Sequence, residues 1–127
     1  MNTLTDKKTT LVLGASTNPY RYSNRAIHML KEYEHPILAL GLRKGEVQGV
    51  EIEKDRNLFE GERVDTLTLY LNPKRQEEYY EWIIDLNPRR VIFNPGTENP
   101  SLIRLLEEYN IEPVVACTLV MLRTGQF

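Results

Sequence analysis

The residues best suited to chemistry lie in "LVLGASTNPYRYS", residues 11–23. An apolar run ends at Gly14, Ala15 and Ser16, turns at Asn18-Pro19 and enters a segment of helical periodicity. Gly14 lets a backbone approach a ligand closely, and Ala15 and Ser16 keep the turn small. Open backbone N–H groups and the N-terminal end of the following helix favour an anion such as a phosphate. Ser16 and Ser23 add hydroxyls, and Arg21 adds a charged fork that fits phosphate oxygens. Small residues and an Asn-Pro turn also serve any strand-to-helix connection, so the phosphate reading leans on where the fold places this turn.

A second cluster follows the next apolar run, in "LALGLRKGE". A dinucleotide enzyme places an acidic residue there to hold ribose hydroxyls. This chain instead has Gly41, Leu42, Arg43 and Lys44, and two cations suit a phosphorylated ribose. The plain alternative is a solvated charged loop. Taken with the first turn, the pattern suits a nucleotide with a diphosphate and an extra ribose phosphate, which describes both coenzyme A and NADP. Further along, "YLNP" and "FNPGT" end two more apolar runs. Five of the seven prolines follow an asparagine, and most of this is capping chemistry. Asn94, Gly96 and Thr97 still leave polar groups and open backbone near the same crevice.

No catalytic constellation is readable: there is no nucleophile elbow, no Ser-His-acid order and no Walker lysine. His28 rides a helical segment and His35 precedes a strand, and both are expected at the surface, without ligand spacing for a metal. Cys117 reads first as a small buried hydrophobe, with a thiol facing a ligand as the sharper alternative.

These residues need elements to position them. Short continuous apolar runs at residues 10–13, 36–40, 64–71, 90–94 and 112–116 read as strands buried on both faces. Helical stripes lie between them: Ala26, Ile27, Leu30 and Tyr33; Tyr80, Ile83 and Ile84; Leu102, Leu105, Leu106 and Tyr109. Residues 41–61 are the least regular, with one short strand near 50–52, and "CTLVMLRTG" is a short last helix or an irregular tail. Strand and helix in alternation predict parallel pairing with right-handed crossovers. The expected fold is therefore a doubly wound, Rossmann-like α/β domain of about five strands, strand one central, filling residues 1–127. Ligands of such sheets sit beyond the strand C-termini where strand order reverses, which is where the Gly14 turn falls.

A length of 127 residues suits one domain rather than two. A net charge of −2 argues against broad binding to nucleic acid or anionic membranes. No apolar run is long enough to span a bilayer, residues 1–10 lack a signal core, and a single cysteine suits a reducing cytosol, so a cytoplasmic location is expected.

The ordered set "VLGASTNPYRYSNRAIHMLKE", "GLRKGEVQGVEI", "VDTLTLYLNP" and "VVACTLVML" resembles the small stand-alone CoA-binding domain proteins. They are related to the nucleotide-binding part of the succinyl-CoA synthetase alpha subunit. The likeness covers nearly the whole chain, although "FNPGTEN" departs from the family's usual run after strand four. It implies non-covalent binding of coenzyme A or an acyl-CoA. Carried over by position, Gly14, Ala15, Ser16, Asn18 and Arg21 would hold the phosphates, with Tyr22 and Ser23 closing over them. Gly41, Leu42, Arg43 and Lys44 would flank the adenosine end, with Leu71 and Asn72 on its other side, and residues 94–97 would face the pantetheine arm.

Two other readings use the same residues. One is a small NADP-dependent reductase, which would need a tyrosine or lysine proton donor near the nicotinamide. The other is a regulatory or interaction protein with a vestigial nucleotide site. Apolar side chains in the tail and around Tyr79, Tyr80 and Trp82 either form a homo-oligomer interface or merely cover the sheet.

Overall fold

Strands that are apolar on both sides must be covered on both faces. The computed structural model, which describes residues 7–127, meets this with one seven-stranded sheet between two helical layers. The strands are β1 (Thr10–Ala15), β2 (Ile37–Gly41), β3 (Gly45–Val47), β4 (Val50–Glu53), β5 (Thr66–Leu69), β6 (Arg90–Phe93) and β7 (Glu112–Val115). Their spatial order is β3-β4-β2-β1-β5-β6-β7, with β1 in the middle. Every pairing is parallel except β3 with β4.

Helix α1 (Tyr22–Glu32) and α5 (Thr118–Arg123) cover one face, where Ile27, Leu30 and Leu122 pack on Val12, Ala39 and Ile52. The other face carries α2 (Pro73–Gln76), a 3-10 turn, α3 (Tyr80–Leu86) and α4 (Pro100–Glu108). There Ile83, Leu102 and Leu106 close over Leu11, Leu13, Leu67, Leu69 and Phe93. The alternation along β1 thus feeds two separate cores, Leu11 and Leu13 on one face and Val12 on the other, while β5 gives leucines to the first and turns Thr66 and Thr68 the other way.

The strand count exceeds the expected five because residues 41–61 contain a complete hairpin. Gln48 (φ 52°) and Gly49 (φ 80°) form its two-residue turn, both left-handed as a type I′ turn requires. The segment after Cys117 is helical, with Leu119, Met121 and Leu122 buried. Two of the helical stripes end one residue earlier than the periodicity predicts. Tyr33 and Tyr109 follow the last turns of α1 and α4 and are exposed, each leading into a left-handed residue, Glu34 or Asn110. The aromatic side chains of residues 79–82 are engaged within the chain. The Arg56 guanidinium stacks on Tyr79, Trp82 Nε1 donates to the Arg56 carbonyl, and Asn99 donates to the Tyr80 hydroxyl.

Candidate ligand-binding site

Strand order reverses on either side of β1, so the C-terminal ends of β1, β2 and β5 form the crest of the sheet. The β1–α1 turn rises from that crest. Gly14 is a bulge: the β1–β2 register runs Leu13↔Leu40 and then Ala15↔Gly41. Its φ is 97°, and a Cβ there would stand 3.0 Å from the Tyr70 backbone. The glycine is thus needed to bend the strand against β5 before any ligand arrives.

The turn is held by its own side chains. Ser16 Oγ accepts from the Asn18 N–H at 3.0 Å, and Asn18 Oδ1 accepts from the Tyr20 N–H at 2.9 Å. The buried Asn24 side chain donates to the Ser16 carbonyl at 3.0 Å. Ala15 and Ser23 are buried, while Asn18, Arg21 and Tyr22 are exposed. On the neighbouring strand, a Cβ at Gly41 would lie 2.2 Å from the Ala15 carbonyl oxygen, so the end of β2 presses directly on the turn. Leu42, Arg43 and Lys44 follow, all exposed. The side chains of Arg21 and Arg43 form no hydrogen bond or ion pair among the described residues, whereas Lys44 Nζ lies 3.3 Å from the Glu53 carboxylate.

The starts of the helices separate the turn from its neighbours. Four helices follow a strand without an intervening helical turn: α1, α2, α4 and α5. Asn72 accepts from the Arg75 N–H at α2, Asn99 from the Ser101 and Leu102 N–H groups at α4, and Asn94 Oδ1 from the Thr118 N–H at α5. At α1 the N-cap position is Arg21, which gives no side-chain acceptor, and the first turn holds no acid. The Asn24 N–H already meets the Arg21 carbonyl, so among the described residues the Tyr22 and Ser23 N–H groups are the ones without an acceptor, at the positive end of the helix dipole and beside a guanidinium that makes no ion pair.

The residues after β5 and β6 are placed at the same end of the sheet but serve the scaffold. Leu71 is buried and Asn72 caps α2. Asn94 is buried and fully engaged: its amide donates to Thr68 Oγ1 and to the Leu69 carbonyl, and its oxygen holds the start of α5. Thr97 is buried and donates to the Asn94 carbonyl, while Gly96 is exposed with φ 92° in open space. Cys117 is half-buried at the end of β7 and has no disulfide partner. Beneath the turn lies a group the sequence did not flag, the Tyr70 phenol. Burial pushes it up to about 12, against the opposing effect of the Thr68 and Thr118 hydroxyls beside it. Those two hydroxyls bond each other at 2.8 Å, and the phenol oxygen makes no well-formed hydrogen bond of its own.

A cleft of about 1230 Å³ lies elsewhere, between residues 56–64 and the face made by the 3-10 turn and α3. Six carboxylates line it against two arginines, Arg56 and Arg63, and Arg56 is already paired with Glu78, so the net field is unfavourable for a polyphosphate. The crest is therefore the better candidate for an anionic nucleotide.

Residues 8–123 match the family model described as a CoA binding domain. The chain belongs to the CoA-binding domain family. Among solved structures, one of an uncharacterized protein is 46% identical, with a TM-score of 0.88, covering 97% of this chain and all of that one. A Thermus thermophilus protein, cell-free ID.343, is 26% identical with a TM-score of 0.83, over 95% of this chain and 91% of its own. The dinucleotide-forming acetyl-coenzyme A synthetase 1 of Ca. Korarchaeum cryptofilum is similar in fold alone, at 13% identity and a TM-score of 0.70, covering 86% of this chain and 25% of that one. No curated protein matches the chain. Membership of the CoA-binding domain family points to coenzyme A binding at a general level, and the Rossmann-like sheet agrees with it.

Proposed function

We propose that this CoA-binding domain holds coenzyme A, free or acylated, non-covalently at the crest of its sheet. The observation that carries the reading is the start of α1, the one strand-to-helix junction of the four that, among the described residues, has no side-chain acceptor, with Arg21 unpaired among those residues beside it. The diphosphate would sit on the turn at Gly14, Ala15, Ser16 and Asn18, with Tyr22 and Ser23 at its edge. Arg43 and Lys44 would meet the ribose phosphate past Gly41 and Leu42, with Leu71 and Asn72 bordering the adenosine across β1. The exposed turn at Gly96, whose N–H donates to Glu98 and which Asn94 and Thr97 flank, would border the pantetheine arm.

In this reading the protein is a binding module, whose crest holds the nucleotide. Calorimetric titration with coenzyme A, dephospho-coenzyme A and NADP tests the reading. Tightest binding of coenzyme A supports it. Preference for NADP would replace it with a reductase, and no binding by folded protein would replace it with an interaction protein.

A further inference from the structure

The parallel register brings an acidic side chain beside the two cations that follow β2, Arg43 and Lys44. Glu53 ends β4, which pairs with β2 as Ala39↔Ile52 and Leu40↔Glu53, one residue short of Gly41. Its carboxylate is mostly covered and reaches Lys44 Nζ at 3.3 Å. Lys44 is 62% exposed, so this pair stands at the solvent edge of the crest, where a ligand can displace it. Arg43, its neighbour, has no such partner.

Resting on the coenzyme A reading above, we propose that Glu53 competes with the ribose phosphate for Lys44, and so sets how strongly the site prefers a phosphorylated ribose. An ammonium has one charge to share. While Glu53 holds it, a 3′-phosphate arriving at Lys44 must either break that pair or accept a carboxylate beside it. A ligand with a free 3′-hydroxyl meets no such conflict. The native pair therefore narrows the gap between coenzyme A and its dephospho form, and removing the carboxylate widens it.

The test is isothermal titration of both ligands into the wild type, Glu53→Gln, Lys44→Ala and the double variant, with Glu51→Gln as control. Glu51 is exposed two residues earlier on the same strand and carries the same charge. Glu53→Gln should raise the preference for coenzyme A over dephospho-coenzyme A by about threefold to tenfold, a range set by the screening of a partly exposed pair. Glu51→Gln should leave that ratio within about twofold, since Glu51 is exposed to solvent and makes no ion pair with Lys44. With Lys44 already replaced, adding Glu53→Gln should change the ratio by less than about twofold. An unchanged ratio in Glu53→Gln overturns the proposal while the coenzyme A reading stands. An equal rise with and without Lys44 overturns it too, since the carboxylate would then act as a diffuse charge. If folded wild type binds neither ligand, the coenzyme A reading fails and this proposal with it.

Discussion

Gly41 and the Ala15 carbonyl oxygen meet so closely that a Cβ at 41 would stand 2.2 Å away. The end of β2 and the β1–α1 turn are thus one packed unit, and neither can move without the other. Gly41→Ala should destabilise the fold by about 3 kcal/mol, the upper range for overpacking, because the obstacle is backbone. Gly96→Ala meets no neighbour and strains only a φ of 92°, so it should cost about 1–2 kcal/mol. Urea denaturation of the two variants checks the order. Equal losses would mean that the turn yields freely.

Asn94 ties three elements together beneath the crest. Asn94→Ala leaves the Thr118 N–H and the Leu69 carbonyl without their partner in a buried setting. The expected loss is about 2–4 kcal/mol, large enough to lower the Tm by roughly 6 °C or more in a domain of this size. Differential scanning calorimetry reads it. Amide exchange should rise first in α5, since its start loses its cap.

His35 makes stability depend on pH. Burial first, and then the positive charges of Lys7 and Arg90, hold its imidazole below the ordinary value of 6.5. Its ring packs edge-on against Phe127 at 4.9 Å, and the Arg90 guanidinium lies over that same ring. The folded state thus binds this proton less readily than the unfolded chain. His35 contributes its full stability above about pH 6.5 and loses it as pH falls through that value toward the lowered folded value. His35→Gln should flatten this part of the stability profile between pH 7 and 5. A profile of unchanged slope would place the dependence elsewhere.

The sheet's framework was legible because its strands are continuous apolar runs between helical stripes, as in residues 10–13 and 64–71. The hairpin was harder to read, since Glu46, Glu51 and Glu53 break its apolar pattern and two of its strand residues, Glu46 and Glu51, are exposed. Val47-Gln48-Gly49-Val50 carried its signal, a two-residue turn flanked by valines. The turn at Gly14 was also visible, but its meaning was only partly so: the glycine bends β1 against Tyr70, which no local pattern reveals. Asparagine before proline spelled capping at residues 72 and 99 and a left-handed helix end at 87. The Lys44–Glu53 pair was hidden because it arises from strand register, between residues that are separate in the sequence.

The central claim is that the β1–α1 turn holds the diphosphate of coenzyme A, and Arg21 is the charge that tests it. The most direct measurement is the calorimetric Kd of coenzyme A for the wild type and Arg21→Ala, side by side. Arg21 is exposed and unpaired among the described residues, so its removal should leave the fold intact. A charge-assisted hydrogen bond contributes roughly 1.5–3 kcal/mol, so the account predicts binding weakened by about tenfold to a hundredfold. Folded Arg21→Ala binding coenzyme A as tightly as the wild type would contradict it.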